Sequence, residues 1–343
     1  MPTNSNHALV LDGSGNHFFT CGLNESGQLG TGDTIKKETF TRVNLPVKFI
    51  SLSAGYPDHS LGIAEDGSLW SWGSNSRGQL GQGEGVPFLT QPTQILDTHS
   101  FVQISAGDQF SLALDSNGDV WSFGNGEYGR LGLGEGVRHR FRPTRIESLS
   151  NIKSISAGVY FGMVLNHFGS LWSFGYNEDG ELGLGDNTNR WSPCKIEGIP
   201  PIVQVSSGYY HNLILDSHGS VLSFGFNHYG QLGHSGTTNN NIPEMIPNLV
   251  DIVQIFGAGF TSIVKNDSQQ FFVFGNNASY RAEIGNIFAP VEQENWRDKI
   301  IFPGGDHIVI LDEKGFLFST CLIIFFLGAF FNRANPRVVL RNS

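Results

Sequence analysis

One glycine sets the frame of this chain. It closes a short aromatic strand and recurs as Gly22, Gly73, Gly124, Gly175, Gly225 and Gly275, at intervals of 51, 51, 51, 50 and 50 residues. A glycine-punctuated loop follows each time: Asn24-Glu-Ser-Gly-Gln-Leu-Gly30, Asn75-Ser-Arg-Gly-Gln-Leu-Gly81, Glu127-Tyr-Gly-Arg-Leu-Gly132, Asn177-Glu-Asp-Gly-Glu-Leu-Gly183 and Asn227-His-Tyr-Gly-Gln-Leu-Gly233. A second motif keeps the same period: Ser53-Ala-Gly55, Ser105-Ala-Gly107, Ser156-Ala-Gly158, Ser206-Ser-Gly208 and Gly257-Ala-Gly259. Each is followed by an alternating run such as Ser111-Leu-Ala-Leu114. Self-similarity at this period means one supersecondary unit repeated, each copy burying its apolar face only against its neighbours.

The unit parses into strands. Gly169-Ser-Leu-Trp-Ser-Phe-Gly175 alternates in and out and is rich in residues that suit a pleated, half-buried surface. Asp66-Gly67, Asn117-Gly118 and His218-Gly219 read as hairpin turns between two such runs. A third strand precedes each Ser-Ala-Gly. A fourth is marked by Pro92-Thr-Gln-Ile95, Pro143-Thr-Arg-Ile146 and Pro193-Cys-Lys-Ile196. Helix-period patterns are absent, so the chain is expected to be all-β, with four-stranded blades radiating as a propeller.

These motifs resemble the regulator-of-chromosome-condensation repeat family over residues 7 to about 315. The resemblance implies a seven-bladed β-propeller as a single domain over 1–343, with a degenerate seventh copy at Cys321. It implies a protein-interaction scaffold or adaptor. Its exchange-factor member points to the alternative, guanine-nucleotide exchange on a Ran-like small GTPase. That member uses acids and histidines near a Gly-x-x-His position on the face that receives its GTPase. The matching residues are Asp58, His59, Asp108, His211, Asp306 and His307. Hydrogen bonding between neighbouring blades is the other reading of the histidines. No copy carries a large insertion that could wedge towards a bound nucleotide.

Composition narrows the partners. A net charge of −10 with only 21 Lys and Arg argues against general attraction to nucleic acid. No metal-ligand spacing, Ser-His-Asp order or paired-carboxylate motif is visible, so no metal, cofactor or catalytic chemistry of its own is expected. Gly124-Asn-Gly126-Glu-Tyr-Gly129 matches a dinucleotide fingerprint but lacks the enclosing βαβ unit, and it lies in frame with the repeat loop. Trp70, Trp72, Trp121 and Trp172 fall in the alternating strand and read as core.

Two stretches, read as loops, are candidate partner sites. Residues 135–145 hold Arg138, Arg140, Arg142 and Arg145, either a solvated loop or a docking patch. The equivalent loop of the next copy holds Arg190 and Trp191, an interface anchor or a blade cap.

The termini carry two further expectations. His7-Ala-Leu-Val-Leu11 matches the second-motif strand without the strand before it, so C-terminal strands are expected to complete its blade and close the ring. Met1–His7 has neither a basic n-region nor an apolar core, so a cytoplasmic or nuclear setting is expected. Residues 315–331 form an almost unbroken apolar run followed by Arg333, Arg337 and Arg341. That run is a degenerate last blade, a membrane tail that would tether the scaffold, or an altered terminus within the atypical 322–343 segment.

Overall fold

The computed structural model describes residues 7–96, 98–276, 286–297, 299–303, 308–311 and 317–319. Among them are seven antiparallel sheets, each made of strands consecutive in sequence. Five sheets have four strands. The first (blade 1, 7–44) and last (blade 7, 300–319) have three. Blades 2 to 6 cover 49–94, 101–145, 152–195, 202–245 and 252–292. The innermost strands of successive blades lie side by side in chain order. This is the expected all-β propeller.

Blade 4 shows how sequence builds the unit. Ile152–Ala157 is innermost, Phe161–Asn166 second, Leu171–Gly175 third and Arg190–Lys195 outermost. The second strand is buried along its whole length because a neighbouring blade covers each of its faces. The apolar clusters therefore lie between blades: Phe110, Leu112 and Leu114 of blade 3 pack with Ile155, Val164 and Phe174 of blade 4.

The repeating glycine has two reasons to be glycine. Its φ lies between 97° and 115° in all six copies. In blades 2 to 6, a Cβ there would sit 2.3 to 2.5 Å from a backbone carbonyl oxygen, that of Asp58, Gln109, Tyr160, Tyr210 or Phe260. The position demands both the backbone conformation and the missing side chain.

The Ser-Ala-Gly glycine is explained differently. A Cβ on Gly55, Gly107, Gly158 or Gly208 would lie 2.0 to 2.2 Å from the ring of His59, Phe110, Phe161 or His211 respectively. Blade 6 corrects the sequence frame by one residue: Ala258 pairs with Thr261 where Gly55 pairs with His59, so Gly257-Ala-Gly259 is not the in-frame copy. With threonine instead of a ring, a methyl fits. Thr261→Phe alone is therefore expected to destabilise by about 2 kcal/mol through overpacking. Adding Ala258→Gly should recover most of that loss in a denaturation double-mutant cycle, and simple additivity would refute the coupling.

Blades are also stitched by polar contacts. Ser111 Oγ of blade 3 donates to Gln79 O of blade 2 at 2.8 Å. His59 Nε2 lies 3.1 Å from the same Oγ and is therefore the donor there. His211 and Ser262 repeat the pair at 2.9 Å, with Ser262 Oγ donating to Gln231 O. The loop of each blade then lies on the outermost strand of the next: Gly83 N donates to Phe141 O and Gly134 N to Trp191 O.

Residues 135–138 form a loop as expected, but the stretch departs from that reading at His139. His139–Arg145 is the outermost strand of blade 3, and Arg190–Lys195 that of blade 4. Each is a sheet edge carrying a proline, Pro143 or Pro193, and blades 2, 5 and 6 carry Pro92, Pro243 and Pro290. A residue without an N–H suits an edge because it discourages pairing with another chain.

At the N-terminus, His7–Leu11 pairs with His17–Gly22 in the register of a second strand, His7 opposite Gly22 as His59 is opposite Gly73. Blade 1 has no innermost strand among the described residues, the place a closing strand is expected to fill. Of 315–331, only Leu317–Ser319 is described, as the third strand of blade 7. The remainder, and with it the choice between blade and membrane tail, lies outside the described residues, as does Cys321. Among the described residues no helix is long and apolar enough to cross a membrane.

Candidate functional site

Two kinds of loop meet on one face. The turn between innermost and second strands of a blade meets the loop after the strand-end glycine of the preceding blade. Ser26 Oγ of blade 1 donates to Asp58 Oδ2 of blade 2 at 2.9 Å. Tyr128 of blade 3 meets Tyr160 of blade 4 with ring centroids 5.8 Å apart, and Tyr229 of blade 5 meets Phe260 of blade 6 at 5.0 Å. Backbone bonds hold the inner turns in register: Asp108 N to Val159 O, Val159 N to Tyr209 O and Tyr209 N to Gly259 O, at 2.8 to 3.0 Å.

The result is a continuous aromatic surface over blades 3 to 6. Tyr128, Tyr160, Tyr176 and Tyr210 lie within 5.4 to 6.4 Å of one another in successive pairs, mostly edge to face. Tyr210 stacks on Phe260 at 6.0 Å, and Phe226 and Tyr229 extend the patch. Tyr128 is 44% exposed and the other rings are half-buried, so the rings brace one another and still present area outward. Such pairs add about 0.5–1.5 kcal/mol each beyond burial.

Acids border these rings. Asp108 is buried, which pushes its carboxyl up to about 6 against the opposing charge of Arg130. Arg130 is itself buried, with Nη1 donating to Asp108 O at 2.9 Å and its guanidinium carbon 4.3 Å above the Tyr160 ring. Tyr160 also hydrogen-bonds Asp108. Burial raises Asp58 too, opposed by hydrogen bonds from Ser26 and Ser74. Glu178 and Asp179 lie in the blade 4 loop, where burial and neighbouring carboxylates hold the Tyr176 hydroxyl well above its usual range.

Glu181 stands out beneath that loop. Gln28, Gln79 and Gln231 occupy the same position in blades 1, 2 and 5, each accepting from the backbone N–H two residues earlier. Glu181 Oε2 makes that bond to Asp179 N at 2.9 Å, while Oε1 is buried without a partner. Burial pushes this carboxyl up to about 8.

The sequence-derived candidates divide by location. Asp58 and Asp108 lie on this face, and the inner turns bring them together: Tyr56 bridges to Asp108. His59 and His211 are fully buried between blades, and burial lowers both to about 3, opposed at His59 by a hydrogen bond with the Phe110 backbone, so they are neutral. Asp306 and His307 lie outside the described residues. On the outermost strands, Arg145 pairs with Asp119 and Glu147, both at 2.8 Å, and Arg190 pairs with Asp186. Arg138 and Arg142 are exposed, Arg140 is half-buried, and Trp191 is 38% exposed.

The fingerprint glycines face protein rather than an open cradle. A Cβ on Gly124, Gly126 or Gly129 would meet the carbonyl oxygens of Gln109, Val137 and Arg190 at 2.3 to 2.4 Å. Among the tryptophans, Trp72 is fully buried and donates to Gln28 O at 2.9 Å. Trp121 and Trp172 remain half-buried.

Sequence reasoning missed Tyr128, Tyr160, Tyr176, Tyr210, Phe226, Tyr229 and Phe260 as a set. They occupy the variable positions of the two motifs, and the available signal was aromatic residues at those positions in consecutive copies.

A family profile described as "RCC1-like domain" matches residues 3–310. The human E3 ubiquitin-protein ligase HERC2 is 35% identical over 191 residues, 54% of this chain and 4% of that protein. The chain spans less than half the length of the curated relatives it matches most strongly. Among solved structures, human WBSCR16 superposes with a TM-score of 0.77 at 22% identity, covering 91% of this chain and 88% of the other. Saccharomyces cerevisiae Prp20p gives 0.76 at 19%, covering 90% and 80%. At those identities the superpositions speak for the fold alone, and it is the profile match over most of the sequence that decides membership: this chain belongs to the RCC1-like domain family.

Proposed function

We propose that this propeller is a protein-interaction module, a scaffold or adaptor that holds a protein partner on the aromatic and acidic face of blades 3 to 6. The observation that carries this reading is the run of mutually braced tyrosines and phenylalanines, still accessible, bordered by Asp58, Asp108, Glu127, Glu178 and Asp179. Rigid aromatics give contact area at low entropic cost, and interface energy concentrates in such anchors. The acidic border suits a partner presenting basic side chains among apolar ones.

Tyr176→Ala with Tyr229→Ala is expected to weaken capture of the principal partner at least about tenfold, as for loss of an interface anchor. Quantitative affinity purification against the unaltered chain reads this. Equal recovery of every bound protein would sink the reading.

Exchange on a small GTPase is the second reading, favoured by the approach of Asp58 and Asp108 on that face. The Prp20p structure is described together with its binding to Gsp1p and histones. Acceleration of labelled-nucleotide release across a GTPase panel at substoichiometric propeller would establish exchange. Unchanged release rates would eliminate it.

A further inference from the structure

We propose that the outermost strand of blade 3, joined by Arg77 of blade 2, is a docking strip for an acidic, extended segment of a partner protein. The proposal concerns the perimeter of the propeller and does not rest on the aromatic face.

The strip has an unusual composition for its place. The register position opposite the strand-end glycine is Leu89 in blade 2, Arg140 in blade 3, Arg190 in blade 4 and Asn240 in blade 5. Two residues to either side, blade 3 has Arg138 and Arg142, where its neighbours have Pro87 and Gln91, Thr188 and Ser192, or Thr238 and Ile242. Blades 2 and 5 therefore fold without arginine at any of these three places, blade 4 has it only at the central one, and blade 3 has it at all of them.

These arginines are also unspent. Arg145 and Arg190 have carboxylate partners, as do Lys37, Lys48 and Lys195. Among the described residues no carboxylate lies within ion-pairing distance of Arg77, Arg138, Arg140 or Arg142. Instead they crowd one another. Arg77 Nη1 is 3.3 Å from His139 Nε2, and Arg140 Nη1 donates to the carbonyl of His139 at 3.0 Å. The guanidinium of Arg142 lies against Gly83 of the blade 2 loop. Burial, Arg77 and Arg138 all hold His139 towards its neutral form, with Glu127 the acid opposing them. On a chain of net charge −10, a cationic strip left unpaired is a surface whose complement lies elsewhere.

The geometry selects the ligand. Pro143 offers no N–H at this edge and Phe141 O already accepts from Gly83 N, so recognition falls to side chains rather than to an added strand. Guanidinium forks match carboxylates in two-pronged pairs. Alternate side chains of an extended peptide recur at about 7 Å, close to the spacing of Arg140 and Arg142 on the strand, with Arg138 just before it and a register irregularity between Arg140 and Thr144. A duplex polyanion would meet the −10 charge of the whole chain, together with the flanking acids Glu127, Glu135 and Glu147, over a far longer footprint.

The test is fluorescence anisotropy with a labelled peptide of alternating glutamate and serine, titrated with the full chain at low and at physiological salt. The expected result is binding that weakens with salt. R138A/R140A/R142A should reduce affinity roughly tenfold, and R145A, whose charge is already paired, should change it less than about twofold. Thermal unfolding checks that the triple variant folds. If it does not, R142Q at an exposed position serves, with about a threefold loss expected. Absence of peptide binding at low salt, equal loss in R145A, affinity unchanged in the arginine variants, or tighter binding of a mixed-sequence DNA duplex would each overturn the proposal.

Discussion

Gly175→Ala is expected to destabilise the propeller by about 2–5 kcal/mol, combining a disfavoured positive φ with overpacking. At φ 113° the new methyl would lie 2.4 Å from Tyr160 O and 2.6 Å from Phe161 Cα. Neither is the movable end of a side chain: both belong to the turn and strand that pair with this position. Relief would require separating the second and third strands of blade 4, breaking the Phe161–Gly175 register that aligns every residue behind it. Gly134→Ala separates the two contributions. Gly134 also has positive φ, at 97°, but nothing lies within 4 Å of its Cβ position. It should lose only about 1–2 kcal/mol, the conformational part. Chemical denaturation of both variants reads the difference. Equal losses would mean that close approach contributes nothing.

Glu181→Gln is expected to stabilise the fold by about 1–3 kcal/mol above pH 8, where the buried carboxylate is charged and the amide is not; Gln79 Nε2 and Gln231 Nε2 are themselves buried without a partner, so the gain comes from removing the charge and not from pairing. The copies in blades 1, 2 and 5 already carry glutamine here and keep the bond to the N–H two residues earlier. The pH dependence follows from the direction of the shift. Glu181 is held up to about 8 in the folded chain against 4.5 for the unperturbed group, so the folded state binds more protons across that window. Stability should fall as pH rises from about 4.5 to 8, with the full penalty present above 8. Asp108, raised to about 6, adds a loss of the same sign between about 4 and 6. In the Gln variant the decline between pH 6 and 8 should flatten, and the decline below 6 should persist. Thermal midpoints across that range decide it. A variant curve parallel to that of the parent would show that Glu181 titrates as an ordinary surface acid.

Much of the architecture was legible because it is local. A glycine that must take positive φ at a strand end, and an Asp-Gly or Asn-Gly hairpin turn, are short-range requirements written at fixed spacing. The all-β class, the strand count per unit and the turn positions followed from them. The site was less legible. Tyr160 and Tyr128 are 32 positions apart in sequence and meet only because the loop of blade 3 lies over the inner turn of blade 4. His59 carries the same letter whether it faces solvent or a serine, and what decides is the arrival of Ser111 from the next blade. The stretch at 135–145, rich in arginine and polar residues, has a loop's composition, yet from His139 onward it is a strand because the Gly83 loop and the third strand of its own blade take up its backbone groups.

The amino-acid order alone settled what each unit is: a four-stranded antiparallel sheet of about fifty residues, repeated, with its apolar surface left for a neighbour to cover. Tertiary structure alone settled which variable residues share a surface, which arginines remain without a counter-charge, and that Glu181 is buried with one carboxyl oxygen lacking a donor. The physical reason is that backbone conformation answers to neighbours in the chain, whereas burial, pairing and protonation answer to neighbours in space, and in a propeller those neighbours come from the adjoining blade.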